Sequence, residues 1–514
     1  MFLRKFLLMV SLVAFILACN PFSIIVGDGD NLNRITRLYD PFEEWELTNE
    51  SWNGNPYDLV ATVTFIHSSG KSHQTELFYK GDNIWSFRFT ATEPGRWRFE
   101  TSSVDPDLNG KSGEIIAETN PAPQLYGFLT TYTIDSQTRW VIPRGNDQTE
   151  QAFVPQLVMY TTPDEFYNNP AKIDNDLDLF IEEHGFTGVH VFSVAHGWTD
   201  ISESGNGGNS GSDPDPRTFE ALEDLILRVH RRGGLVHFWI WGDQQRNMVP
   251  PEGINSSADR RLQRYIAARL GPLPNWSAGY GFDLDEWVTA AQIKSWYDYM
   301  QDHLGWPHFL SARPAGPNSG TDHSSYIAWN QNLNCASYEH HKPTVEVYKN
   351  ALQAASGRPV ISEDRFRVRN RPKDYTLEET RRGLWHSMMA GGVANIWGNL
   401  TGDHSSRLGS LPYPNKTELK TWSIFAKTWF DKEMLPQQNG DALILQTPDR
   451  KKMIYYREDT QQIQIDCSGL SGSLGAIAVD AKRPYDEIAV PVTAGIQTWT
   501  APYTSDWAVR VENH

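Results

Sequence analysis

Cysteine is nearly absent from this chain: three residues in 514, at positions 19, 335 and 467. Cys19 lies in an N-terminal apolar segment, and the pattern below puts Cys335 and Cys467 in different domains. That excludes a disulfide framework and a cysteine-built metal site. Positive charge is also short. Lys and Arg number 46 against 63 Asp and Glu, a net charge of −17. Nucleic acid and an anionic membrane surface are therefore excluded as bulk partners. No glycine-rich phosphate fingerprint follows any strand-like run, and no HExxH spacing occurs. Neither a metal nor an organic cofactor is expected. The apolar run Phe6 to Leu17 is too short for a membrane span.

Aromatic residues are abundant, at 12% with 19 Trp. Exposed indoles that stack on sugar rings give such a count, and so does a Trp-rich core. The length exceeds one domain. At the N-terminus, Arg4 and Lys5 precede the apolar run, the flanks of an export signal. The segment closes Ile16-Leu17-Ala18-Cys19, which resembles a bacterial lipobox. The resemblance implies cleavage before Cys19, acylation of Cys19 and export to the outer membrane or cell surface, since no Asp follows at Asn20. Residues 1–19 are the expected leader and 20–34 a tether.

From residue 35 to 120 short alternating runs follow one another. They include Asp58 to His67, Trp85 to Thr90 and Trp97 to Ser102, the last after the turn signal Glu93-Pro-Gly95. This spacing predicts a β-sandwich. The run from Trp45 through Phe65, Trp85 and Pro94-Gly-Arg-Trp97 resembles the β-sandwich domain of unknown function that precedes the barrel in many bacterial polysaccharide-degrading enzymes. A hairpin over Leu125 to Asn146, turning at Asp135-Ser-Gln-Thr138, leads onward.

The pattern then alternates between strands and amphipathic helices, the mark of a parallel α/β domain. Eight strands are expected: Val154–Tyr160, Gly188–Val194, Leu235–Trp241, Gly279–Leu284, Phe309–Arg313, Leu333–Tyr338, Pro359–Ser362 and Val393–Trp397. Helices are expected at Phe219–Arg232, Ala258–Leu270, Trp287–Leu304, Thr344–Ala355 and Leu377–Met389. Eight such units over residues 125–432 predict a (β/α)8 TIM barrel, a fold of roughly 250 residues. An open doubly wound sheet is the alternative. From 437 to 514 short strands return, a second small β-sandwich. Its closing run Trp499 to Arg510 resembles the C-terminal β-domain named for collagen binding in many glycoside hydrolases. That ligand does not transfer with the name.

Catalytic groups of such a barrel sit at the C-terminal ends of its strands. Those ends supply His196, Trp239, Trp241, Asp243, Asp283, Asp285, Glu286, Arg313, Tyr338, Glu339, His340, His341, Glu363, Asp364, Arg365 and Trp397. The pattern resembles clan A glycoside hydrolases, with an apiosidase-like subgroup as the expected branch. The resemblance implies Glu286 after strand four as acid/base and Glu363 after strand seven as nucleophile. It implies Tyr338 as support for the nucleophile and Trp397 as the floor of the sugar site. Asp285, His196, Trp241, Arg313, His340 and Arg365 are the further expected substrate contacts. One departure stands out: the clan has Asn before the acid/base Glu, and this chain has Asp285. The implied reaction is double displacement, which needs the two carboxyls about 5–5.5 Å apart.

Each residue also has a plainer reading. Glu286 could complement the N-terminus of the following helix. Glu363 could pair with Arg365 or Arg367. Asp283 is an alternative acid or a buried structural carboxylate. Trp239 and Trp241 could fill the barrel. The pair His340-His341, with Glu339 or Asp243, suggests a metal, but adjacent residues rarely reach one ion. Arg358, Arg365, Arg367, Arg369, Arg371 and Lys373 crowd the strand-seven loop, with Arg313, His340, His341 and Lys342 as possible additions. They point either to a sulfated or uronate-bearing glycan or to neutralisation of Asp364 and Glu363. A polysaccharide lyase and a non-catalytic glycan-binding lipoprotein are the rival functions.

Overall fold

The computed structural model describes residues 32–122, 125–160, 169–192, 197–198, 213–314, 329–367, 375–398, 412–439 and 441–513. The leader, Cys19, His196 and residues 369–373 of the Arg-rich stretch lie outside the described residues, as do the side chains of Arg365 and Arg367. No helix among the described residues is long and apolar enough to cross a membrane.

Eight parallel strands form the central barrel. In chain order they are Gln156–Tyr160, Gly188–Phe192, Leu235–Trp239, Trp276–Gly279, Phe309–Ser311, Ala336–Tyr338, Val360–Arg367 and Ala394–Gly398. Their order around the sheet is five, four, three, two, one, eight, seven, six. Among the described residues no ladder joins strands five and six; two asparagines bridge the gap. Asn330 Nδ2 donates to Ala312 O at 3.0 Å and to Ser337 O at 2.8 Å. Asn334 Oδ1 accepts from Leu310 N, and its Nδ2 donates to His308 O, both at 2.8 Å.

Among the described residues seven α-helices surround the strands: α1 (Pro170–Leu177), α2 (Pro216–Arg231), α3 (Ser257–Leu270), α4 (Ala290–Leu304), α5 (Val345–Ala354), α6 (Leu377–Met389) and α7 (Lys416–Trp429). Two helix starts are set by capping boxes, Thr289 with Gln292 for α4 and Thr376 with Glu379 for α6. Each box satisfies backbone N–H groups that the first turn leaves without partners. This is why α4 begins at Ala290, not at Trp287 as expected.

Strand four departs more from expectation. It occupies Trp276–Gly279 and ends where the sequence pattern had it begin. Tyr280 to Asp283 form a bend that leads into a single 3-10 turn, Leu284–Glu286, with Asp283 in the left-handed region at φ 51°. Asp tolerates that conformation better than most residues because its short polar side chain can bond locally.

The N-terminal unit packs a five-stranded sheet against a three-stranded one. Its aromatic core contains Trp45 stacked on Phe87 at 5.0 Å, and Trp306 of the barrel inserts into it. Buried Arg88 bridges the two units by bonding Glu223 of α2, which Arg269 of α3 also grips. A three-stranded hairpin unit, Thr130–Ala152 in overall span, closes the barrel floor: Trp140 Nε1 donates to Val360 O at 3.2 Å. The C-terminal unit is a six-stranded antiparallel sheet. Two of its strands, Lys452–Cys467 and Gly495–Asn513, are long, and the ladder between them is bulged. Its buried Asp506 receives Arg381 at 2.6 Å and Arg382 at 2.9 Å, both from α6. Those cations hold the Asp506 carboxyl far below its ordinary range despite burial.

Candidate functional site

Side chains along a barrel strand alternate between the interior and the helix layer. That alternation sorts the expected site residues. In strand three, His237 and Trp239 turn inward, whereas Phe238 packs on Trp276 outside at 5.4 Å. In strand seven a bulge between Ser362 and Arg365 carries Glu363 and Asp364. Glu363 enters the barrel and is fully buried.

Trp239 Nε1 donates to Glu363 Oε2 at 2.8 Å. His237 Nε2 stands 3.9 Å from Glu363 Oε1. Facing them is Gly279, the last residue of strand four. A Cβ there would lie 2.7 Å from the Trp239 ring and 2.9 Å from Glu363 Oε2. The absence of a side chain at Gly279 makes room for the indole–carboxylate pair. Burial raises the Glu363 pKa, against the hydroxyl of Ser311, the Trp239 indole, the Arg313 charge and the hydroxyl of Ser337, which lower it.

Arg313, at the end of strand five, organises the level above. Its Nη1 bonds Asp283 Oδ1 at 2.9 Å and also Glu339 Oε2. Its guanidinium lies 5.7 Å from the Trp239 ring centre and 5.8 Å from that of Phe282. Burial would lower its pKa, but Glu339, Asp283, Asp364 and Glu363 together raise it. Burial also raises the Glu339 pKa, and Arg313 opposes that. His341 Nδ1 bonds Asp364 Oδ2 at 2.7 Å. Glu339, His341 and Asp364 each bring one oxygen or nitrogen within 4.8 Å of the others. This is the spacing a cation could use, yet Glu339 already bonds Arg313 and His341 already bonds Asp364. We read the group as an ion-pair network. Asp243 is engaged elsewhere, holding Arg246.

Several expected residues stand elsewhere. Glu286 is exposed, ahead of the α4 cap, and accepts from Gln245 Nε2 at 2.8 Å. Asp285 beside it is exposed as well. Tyr338 turns outward and packs with Val347, Tyr348 and Ala351 of α5. Trp397 also turns outward: its Nε1 donates to Gln156 Oε1 at 2.9 Å, and its ring meets Gly383 of α6, where a Cβ would be 2.8 Å away. Trp241 donates to the buried Asp259 of α3 at 3.0 Å. His340 Nδ1 accepts from the Lys342 backbone at 3.2 Å. Thus the structure brings Glu363 and Arg313 together with Asp283, Glu339, Asp364, His341 and Trp239. It turns Tyr338, Trp397 and Trp241 toward the helix layer, and it leaves Glu286 and Asp285 exposed.

The residues sequence reasoning passed over are His190 and His237. The alternation His237-x-Trp239 was the available signal, since a strand that sends one inward sends both.

Residues 37–104 match the family model described as domain of unknown function DUF5060. No curated protein matches the chain significantly. Among solved structures, one from Bacteroides vulgatus, assigned provisionally as a glycoside hydrolase, is similar at a TM-score of 0.71 and 15% identity, covering 94% of this chain and 100% of that one. A second from Bacteroides vulgatus, described as a glycoside hydrolase family 5 protein, gives a TM-score of 0.57 at 13% identity over 75% of this chain and 94% of that one. At these identities the likeness is one of fold.

Proposed function

We propose that the chain is a glycoside hydrolase in which Glu363 is the carboxylate that meets the anomeric carbon. The observation that carries this reading is the Glu363 carboxylate itself. It is fully buried at the bulge in strand seven, aimed by the Trp239 indole, and set beneath an Arg313 that two further carboxylates share. A pair of carboxyls around a scissile bond is what glycoside hydrolysis requires. The similarity of fold to proteins described as glycoside hydrolases supports the same reading.

The acid partner comes from the turn after strand four. We assign it to Asp283, because its carboxylate reaches Arg313, whose charge Glu363 also feels. Glu286 is the second reading, favoured by its exposure at the rim, where a leaving group departs. An aryl glycoside with a good leaving group needs no proton. On such a substrate the variant lacking the true acid keeps its first step, whereas on the natural glycan it fails. If Asp283→Asn loses nothing on the glycan and Glu286→Gln loses everything, the role belongs to Glu286. The double-displacement course is part of the proposal, tested by the anomer of the first product in a proton NMR time course.

For the substrate, the described charges favour a neutral glycan over an anionic one. Three carboxylates, Glu363, Glu339 and Asp364, face Arg313 and His341 even with the acid Asp283 protonated. Of the expected anion-binding cations, Arg358 bonds the backbone oxygens of Ala355 and Asn330, and Lys342 bonds Glu379. A screen of neutral against sulfated and uronate-bearing polysaccharides decides; turnover confined to the charged ones overturns the neutral reading. Export with acylation at Cys19 completes the proposal. Fatty-acid labelling lost in Cys19→Ala is the expected result, and labelling retained contradicts it.

A further inference from the structure

Beneath Glu363 lies a pair of histidines, both buried in the barrel. His190 of strand two and His237 of strand three face each other Nδ1 to Nδ1 at 2.9 Å. At that distance one nitrogen carries a proton and the other accepts it, because two lone pairs would repel. The other nitrogen of His237, Nε2, stands 3.4 Å from Ser311 Oγ and 3.9 Å from Glu363 Oε1. Burial keeps this ring neutral, with its pKa lowered to about 3, so it carries one proton and must choose a nitrogen.

The surroundings make the choice. A lone pair on Nε2 would face the oxygen of a carboxylate, whereas an N–H there is attracted to it. The favourable pairing is His190 Nδ1–H donating to His237 Nδ1, with the His237 proton on Nε2. His190 also sets its ring edge-on to Trp239, with centres 4.4 Å apart. One residue therefore braces both groups that approach the two oxygens of Glu363.

We propose that His190 holds His237 in the Nε2–H tautomer, and that this N–H and the Trp239 indole together fix the orientation of the Glu363 carboxylate. His237 is a positioning residue for Glu363. The inference rests on the glycosidase reading for its effect on rate, but the tautomer does not depend on that reading. In double displacement the Glu363 ester must leave as a carboxylate in the second step, with its electron pair returning to the oxygen. Donors aimed at that oxygen assist the departure.

Selective ¹⁵N-histidine labelling tests the tautomer directly in the full chain. Two-bond proton–nitrogen correlations are expected to show His237 protonated at Nε2 in the wild type, and a mixture of tautomers in His190→Phe. A His237 proton found on Nδ1 in the wild type overturns the proposal. Kinetics supply the second arm. His237→Phe is expected to lower kcat 10- to 100-fold with KM changed less than threefold. His237→Gln, whose amide can donate from a similar place, is expected to restore most of the loss. Wild-type kcat in His237→Phe contradicts the positioning role. Equal losses in the Phe and Gln variants, both folded by thermal melting, contradict it as well. If His237→Phe does not fold, His190→Phe carries the same kinetic test. Failure of the glycosidase reading shows separately, as full turnover in Glu363→Gln with the tautomer unchanged.

Discussion

Strands four and seven each carry the chain to acidic residues, yet the fold treats the two places in opposite ways. Strand seven continues through a bulge, so Glu363 stays inside the barrel, where Trp239 bonds it and Gly279 leaves it room. Strand four stops at Gly279, and its carboxylates ride on a turn instead. Asp283 is drawn inward by Arg313, while Asp285 and Glu286 face water. A buried carboxylate with fixed donors is held for one geometry. A carboxylate on a turn can be moved by a substrate. The contrast suits a nucleophile that must not wander and an acid that must reach a leaving oxygen.

Four outcomes sharpen or break that contrast. Glu363→Gln is expected to lower turnover by about 10⁴-fold or more on whichever glycan the wild type degrades, as loss of a nucleophile does. Initial-rate assays suffice, and a loss under tenfold removes Glu363 from the chemistry. Asp283→Asn is expected to cost about 10²- to 10⁴-fold, the range for a general acid, against a few-fold for Glu286→Gln. The reverse order would move the acid to the rim. Trp239→Phe deletes one hydrogen bond to a charged group, about 1.5–3 kcal/mol, so kcat should fall roughly 10- to 100-fold. A rise in KM alone would make Trp239 a substrate contact instead.

The smallest effect concerns the start of strand four, which is pinned where its end is not. Asn275 precedes the strand, and its Nδ2 lies 3.1 Å from Nδ1 of the buried His230 of α2. Burial and then the nearby Arg231 lower the His230 pKa to about 4. The unfolded chain takes up this proton near pH 6.5, and the folded chain does so only near 4. Stability is thus full above about pH 6.5 and falls as pH drops toward 4, by on the order of 3 kcal/mol for this one group. Melting temperatures between pH 7 and 4.5 should fall less steeply in His230→Gln. Parallel curves for the two proteins would deny His230 any share.

Much of this was legible in the sequence. The eight strand–helix units, the flanking β-units and Glu363 follow from periodicity and from the acidic residues closing Val360-Ile-Ser-Glu-Asp. The face on which a strand-end side chain falls was not legible. Tyr338 and Trp397 stand at strand ends as expected but on the outward parity, where α5 and α6 cover them. A shift of one residue exchanges the barrel interior for the helix layer, and apolar strands covered on both faces give no alternation by which to fix it. Strand four was misplaced for a related reason. Trp276 to Gly279 and Tyr280 to Leu284 are similarly apolar, and only the left-handed Asp283 and the Thr289 cap reveal where the strand gives way to a turn. Trp241 stands where a sugar contact is expected, and its bond to Asp259 is not foreseeable because that residue lies in a helix that sequence spacing does not connect to it.

The most direct test of the central claim is chemical rescue at position 363. Glu363→Ala removes the carboxylate and leaves space for a small anion beneath the sugar. With an activated aryl glycoside of the sugar the wild type cleaves, added azide is expected to restore turnover and to appear in the product as a glycosyl azide. Turnover at the wild-type rate in Glu363→Ala without azide would contradict the account.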